Sequence, residues 1–138
     1  MTNEELVALA LEARKKAYAP YSEHLVGAAL LTKSGKVYTG CNVENAGFTP
    51  TNCAERTAVF KAVSEGEREF ASIAVVGGKA NADHLPICAP CGVCRQVLRE
   101  FCDPKAFTVI LGTDRPEEIR VMSLGDLLPL SFGPESLM

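Results

Sequence analysis

The sequence predicts an α/β protein, a three-layer α/β/α sandwich around a mixed sheet of about five strands. Two observations carry this. From Ile73 onward, short apolar runs with strand character are interleaved with helical segments, and the runs are continuous, as in strands covered on both faces. Ahead of them, residues 26 to 41 read as a hairpin, which adds antiparallel pairing and makes the sheet mixed. The 138 residues show no internal repeat and no composition break, so one domain spanning 1–138 is expected.

The elements follow in order. Thr2-x-x-Glu5 is a capping box, and Leu6, Leu9, Ala10, Ala13 and Ala17 recur at the spacing of one helical face, giving a helix that must stop near Ala19-Pro20. Residues 26 to 32 form an apolar strand, Lys33-Ser34-Gly35 has turn chemistry, and 36 to 41 return. Residues 42 to 52 are rich in loop formers and end on Asn52, where an N-cap is expected before a helix from near Cys53 to Glu65-Gly66. Residues 73 to 76 read as a buried strand, 77 to 90 as a polar loop long enough to suspect function, and 91 to 101 as a second central helix. Residues 107 to 111 and 119 to 122 are further strands, and Ser123-x-x-Asp126 opens a last short helix.

Composition excludes several classes of function. Apolar residues make up 47% and charged residues 22%, ordinary for a packed globular chain and unlike a disordered one. The 14 basic and 17 acidic residues leave a net charge of −3 with no concentrated basic face, which argues against nucleic acid as a partner. No apolar run approaches the ~20 residues of a bilayer span, and the acidic start at Glu4-Glu5 is unlike a signal peptide, so no membrane role and a cytoplasmic location are expected. Six cysteines clustered in a reducing compartment are more readily metal ligands or catalytic groups than disulfides.

Cys91-Gly92-Val93-Cys94 puts two thiols one turn apart at a helix start, where the helix dipole favours thiolates, and zinc is the natural occupant. Cys53, at the start of the other central helix, is the third ligand of choice, so that two helix N-termini converge on one ion. Glu55, two residues on, can reach a water at an open position of the metal. Other readings stand beside this one. Cys91 and Cys94 alone could form a redox pair, Cys53 could be a small buried hydrophobe, and Cys53, Cys88, Cys91 and Cys94 could close a structural four-cysteine site without catalysis. Cys41 and Cys102 read as packing residues, and His84 as a solvated loop residue.

Cys53-Ala54-Glu55-Arg56 and Pro90-Cys91-x-x-Cys94, taken with the runs 26–30, 40–45 and 131–134, make the chain resemble the small homotetrameric, zinc-dependent cytidine deaminases from about residue 3 to residue 137. The resemblance implies a cytidine deaminase-like fold, one zinc ion per chain held by Cys53, Cys91 and Cys94, and Glu55 as general acid/base. It implies that Arg56 hydrogen-bonds the ligand sulfurs, helping two helix dipoles offset the negative charge of three thiolates. The Ala54 amide would face O2 of the base and the Ala89 carbonyl would accept from the exocyclic amine. Asn42 and Glu44 match the ribose-binding pair, and Phe132 an aromatic that packs on the base in a neighbouring subunit, implying a tetramer with shared sites. His24 stands where a phenylalanine beside the nucleoside is usual, and Phe48 where a tyrosine often occurs, which leaves preference among cytidine analogues open. The implied activity is hydrolytic deamination of cytidine and 2'-deoxycytidine in pyrimidine salvage. A deaminase of a modified cytosine nucleoside, such as an antibiotic, and a non-catalytic zinc scaffold are the alternatives.

Overall fold

The computed structural model describes residues 1–138. Helix α1 (Asn3–Arg14) starts where the Thr2 hydroxyl accepts from the Glu5 amide at 3.1 Å. It ends at Arg14 rather than near Ala19-Pro20. The Arg14 guanidinium is drawn onto the sheet, donating to the carbonyls of Leu25, Gly78 and Lys79, and Tyr18 exchanges backbone hydrogen bonds with Asn42 and Glu44. These longer-range bonds outcompete another helical turn, so Ala17 lies outside the helix despite its spacing.

Strands β1 (His24–Thr32) and β2 (Val37–Cys41) form the expected hairpin, with Gly27 opposite Cys41 and Leu31 opposite Val37. Then come α2 (Ala54–Ser64), β3 (Phe70–Lys79), α3 (Gly92–Phe101), β4 (Thr108–Leu111), β5 (Arg120–Ser123), α4 (Leu124–Leu127) and a 3-10 turn at Pro134–Ser136. The five strands lie in the order β2-β1-β3-β4-β5, with β3 and β4 parallel and every other pair antiparallel. The mixed sheet is as expected. Ser123 and Asp126 complete a reciprocal capping box at α4.

Strand β3 runs from residue 70 to 79, well past the expected 73 to 76. Its end contains Gly77 and Gly78, which the sequence assigns to the polar loop 77–90. They are strand residues because the following loop folds back onto them: a Cβ on Gly77 would lie 2.9 Å from Cys88 Sγ, and one on Gly78 2.8 Å from a Leu85 methyl.

Alternation along each strand feeds two cores. Ala29, Ala74, Val76 and Ile110 face α1 and pack with its Leu6, Val7 and Ala10. Ala28, Leu30, Ile73, Val75, Val109 and Leu111 face the other way, against Ala54, Ala58, Val59 and Ala62 of α2 and Leu98 of α3. This is the three-layer α/β/α arrangement. It places α2 and α3 side by side on one face, and the functional residues collect where these two helices begin.

Candidate active site

Helix α2 lies against β2 because Gly40 has no side chain; a Cβ there would stand 2.5 Å from the Ala54 carbonyl and 2.6 Å from the Ala58 amide. That contact fixes the start of α2. Its N-cap is Cys53, one residue later than the expected Asn52, whose own amide and carbonyl pair with Val43 and close the loop 43–52. Cys91 is the N-cap of α3 and accepts from the Cys94 amide at 3.5 Å. Two helix N-termini therefore converge, as the sequence suggested.

The Sγ atoms of Cys53 and Cys91 are 3.8 Å apart, those of Cys91 and Cys94 3.5 Å apart, and all three lie within 4.8 Å of one another. Three sulfurs ~2.3 Å from a tetrahedral zinc would be ~3.8 Å apart, so the donor set and its spacing fit this ion. Cys88 stands outside the cluster, its sulfur directed to His24 Nε2 at 3.9 Å. The cysteines thus favour three ligands over the four-cysteine alternative, leaving one tetrahedral position for a non-protein ligand.

Arg56 points its guanidinium at this centre, with Nη2 donating to Cys53 Sγ at 3.1 Å, while its buried Nε has no competing acceptor. The Cys53 thiol is pushed down to about 5, first by the hydrogen bond it accepts from the Cys94 thiol and then by the Arg56 bond and charge. The same hydrogen bond and burial push Cys94 up. Removing the Arg56 donor should cost ~1.5–3 kcal/mol of thiolate stabilisation, or ~10–100-fold in zinc affinity. Arg56→Ala is expected to show this loss in competition with a chromophoric chelator. Unchanged affinity would make Arg56 an ordinary helix charge.

Glu55 is 4% exposed, and burial raises its carboxyl to about 7, with the neighbouring Cys53 thiolate adding to the rise. A carboxyl poised near neutrality can both take and give a proton at working pH. The Cys88 thiol is pushed the same way: burial first, then Glu55 and Cys53, raise it to about 11, so it stays protonated and unreactive.

Glu55, Cys53 and Cys91 open onto a cavity of about 350 Å³. Ala54 and Ala89 line it beside them, and His24, Asn42 and Glu44 line it further out, so five more of the residues singled out in the sequence meet in one place. Asn42 is not a simple turn residue. It is 8% exposed, its Oδ1 accepts from Val26 N and its Nδ2 donates to His24 O, each at 2.8 Å, leaving one amide hydrogen free. Glu44 accepts from the amides of Tyr21 and Ser22 and from the Ser22 hydroxyl, which holds its carboxylate below the usual range. Cys88, weighed in the sequence as a fourth sulfur ligand, lines the cavity as well, and so do Ser22 and Thr51, which the sequence did not mark.

Two residues lie elsewhere. Phe132 is absent from this cavity and 59% exposed, with its carbonyl accepting from Gln96 of α3. Phe48 lines an exposed depression at the rim with Tyr21 and Glu44. His84 is no ligand but is not simply solvated either. Its two ring nitrogens face Asp114 at 2.7 Å and Glu118 at 3.1 Å, tying the loop 80–91 to the segment after β4.

Three thiols at tetrahedral spacing, open on one side to a cavity that also contains a buried carboxyl, define a catalytic zinc enzyme of the α/β/α class rather than a zinc-stabilised scaffold. The comparisons with known proteins carry this further. Residues 1–110 match the family described as the cytidine and deoxycytidylate deaminase zinc-binding region. The cytidine deaminase of Sporosarcina psychrophila is 47% identical over 137 residues, covering 99% of this chain and 96% of that protein. The crystal structure of cytidine deaminase from Burkholderia pseudomallei superposes with a TM-score of 0.85 at 52% identity, covering 96% of this chain and all of that one. The chain belongs to the cytidine and deoxycytidylate deaminase family of zinc-binding enzymes.

Proposed function

We propose that the protein deaminates cytidine and 2'-deoxycytidine by hydrolysis, giving uridine or 2'-deoxyuridine and ammonia, as a step of pyrimidine salvage. The observation that carries this reading is the buried carboxyl of Glu55 beside the three thiols in a nucleoside-sized cavity. Zinc held by Cys53, Cys91 and Cys94 supplies Lewis acidity that makes water nucleophilic at neutral pH. Glu55 moves the protons. It takes one from the attacking water and delivers it to N3 of the ring as the water oxygen bonds to C4, and then carries the remaining proton of that hydroxyl to the exocyclic amine, so that C4–N4 breaks, ammonia leaves and the C4 carbonyl forms.

The base is held by backbone. The Ala54 amide, at the first turn of α2, donates to O2, and the Ala89 carbonyl, just before α3, accepts from the amine. The sugar is held by the free amide hydrogen of Asn42 and the carboxylate of Glu44. Both are already fixed by the hydrogen bonds to β1 and to the turn at Tyr21-Ser22, so little ordering is left to be done on binding. His24, with Cys88 behind it, offers an imidazole edge to the nucleoside.

A direct assay tests the whole: purified protein with cytidine should show a fall in absorbance near the cytosine maximum and stoichiometric ammonia. A zinc-loaded protein without turnover would return the chain to a scaffold role. A site that pairs buried polar groups with a hydroxyl rejects the analogue lacking it by up to ~10⁴–10⁵ in kcat/KM. Cytidine and 2'-deoxycytidine should therefore react, and 3'-deoxycytidine should not. A 3'-phosphate brings its charge against Glu44, so a cytosine-containing oligonucleotide should be inert. Comparable rates on either would refute the sugar contacts and leave the zinc chemistry standing.

No helix is long and apolar enough to cross a membrane. The working form proposed is a cytoplasmic homotetramer in which Phe132 of one copy packs on the base bound by another. Its exposure on a structured segment outside its own chain's cavity supports this.

A further inference from the structure

The segment that presents Phe132 is held with more care than its burial explains. Three side chains of α3 secure it. Arg95 donates to the Leu127 carbonyl at 2.7 Å and to the Pro90 carbonyl at 2.8 Å, Gln96 donates to the Phe132 carbonyl at 2.9 Å, and Arg99 donates from Nε to Ser131 Oγ at 2.7 Å. Arg99 Nη2 also pairs with Glu135 Oε1. The Arg99 side chain is 9% exposed although it carries a full charge, whereas its partner Glu135 is 65% exposed. Gly133 lies between them; any Cβ there would collide with the Arg99 guanidinium.

Burying a guanidinium is costly unless its donors are satisfied, and a chain end that adds nothing to the core ordinarily frays. Here the cation secures residues whose large side chains stay outside the chain's own cores: Leu130, Phe132, Leu137 and Met138 are all exposed. What the arrangement specifies is therefore a direction, that of Phe132, with bonds to the residue before it, to its own carbonyl and to Glu135 beyond it.

We infer that Arg99 and Glu135 form a positioning pair, which aims Phe132 into the nucleoside cavity of a neighbouring copy. This rests on the proposal that Phe132 serves a partner's site. Because Arg99 stands on the helix whose first turn carries Cys91 and Cys94, one rigid element sets both the chain's own zinc ligands and its contribution to the neighbour. The pair touches neither substrate nor metal, so it acts through Phe132 alone.

The test is a double-mutant cycle on the zinc-loaded oligomer, with Phe132→Ala, Glu135→Gln and the two combined, reading KM and kcat for cytidine and sedimentation of each protein. Loss of the charge that faces Arg99, on a side chain 65% exposed, should raise KM up to ~5-fold in Glu135→Gln, with kcat within about twofold of the parent. In the Phe132→Ala background the same change should add less than about twofold, because a residue acting through an absent ring has nothing left to position. Arg99→Lys, which keeps the charge but not the bond to Ser131, should fall between parent and Glu135→Gln. If Phe132→Ala leaves KM unchanged, the shared-site reading fails and the positioning role with it. If Phe132→Ala raises KM but Glu135→Gln has no effect, or an equal effect in both backgrounds, the shared site stands and the positioning role is refuted. Dissociation of Glu135→Gln into smaller species would likewise refute it, by making the pair an assembly contact.

Discussion

Glu55→Ala is expected to bind one zinc per chain and to lose at least ~10²–10⁴-fold in kcat on cytidine, the range that general acid/base catalysis supplies. The loss should lie at the upper end, since one carboxylate serves every proton transfer and the other titratable groups of the cavity are engaged elsewhere: Glu44 is tied to the turn at Tyr21-Ser22, His24 Nε2 faces Cys88, and the Cys88 thiol stays protonated. Metal content measured beside single-turnover rates separates lost chemistry from lost zinc. Turnover within tenfold of the parent would overturn the mechanism. The same residue predicts a pH effect on stability. Burial raises its carboxyl to about 7, so the folded state holds the proton more tightly than the unfolded one. The stability linked to that proton is present in full below the unfolded value and is lost as pH rises through about 7. Without metal, Glu55→Gln should therefore be more stable to unfolding than the parent at pH 8, by on the order of 3 kcal/mol, and by much less at pH 5.

Cys91→Ser is expected to lose zinc outright and to accumulate as insoluble protein. Binding of structural zinc to thiolate sites contributes ~10–16 kcal/mol, more than the margin of a typical domain, and Cys91 is also the cap of α3. Cys88→Ser should keep one zinc per chain, since that sulfur lies outside the cluster. Elemental analysis distinguishes the two variants. X-ray absorption on the parent should fit three sulfurs and one lighter ligand; a shell of four sulfurs would restore the closed structural site.

Much of this centre was legible because thiol spacing and a nearby carboxyl are written locally. Cys53, Glu55, Cys91 and Cys94 each sit within three residues of a helix start that the sequence marks. What escaped was set by contacts distant in sequence. The reach of β3 through Gly77-Gly78 depends on a loop that folds back over it, and the end of α1 depends on carbonyls of β1 and β3 claimed by Arg14. Asn42 looked like a loop former because a buried amide bridging two backbone groups of another strand leaves no local trace. Arg56 could equally have been a surface charge until its geometry to sulfur was seen, and His84 carried no sign of the two carboxylates that flank it.

The convergence of two helix N-termini has one more consequence, for the unfolded chain. Cys53 and Cys91 are 38 residues apart, and the stretch between them contains all of α2 and β3. An ion that joins them closes a loop of that size, and in a chain-entropy description such a tether removes on the order of 4 kcal/mol of freedom from the denatured ensemble. Cys94, only three residues beyond Cys91, adds almost nothing to that count. Of the three thiols, Cys53 is therefore the one through which the metal acts as a topological staple, tying the hairpin and α2 to the start of α3.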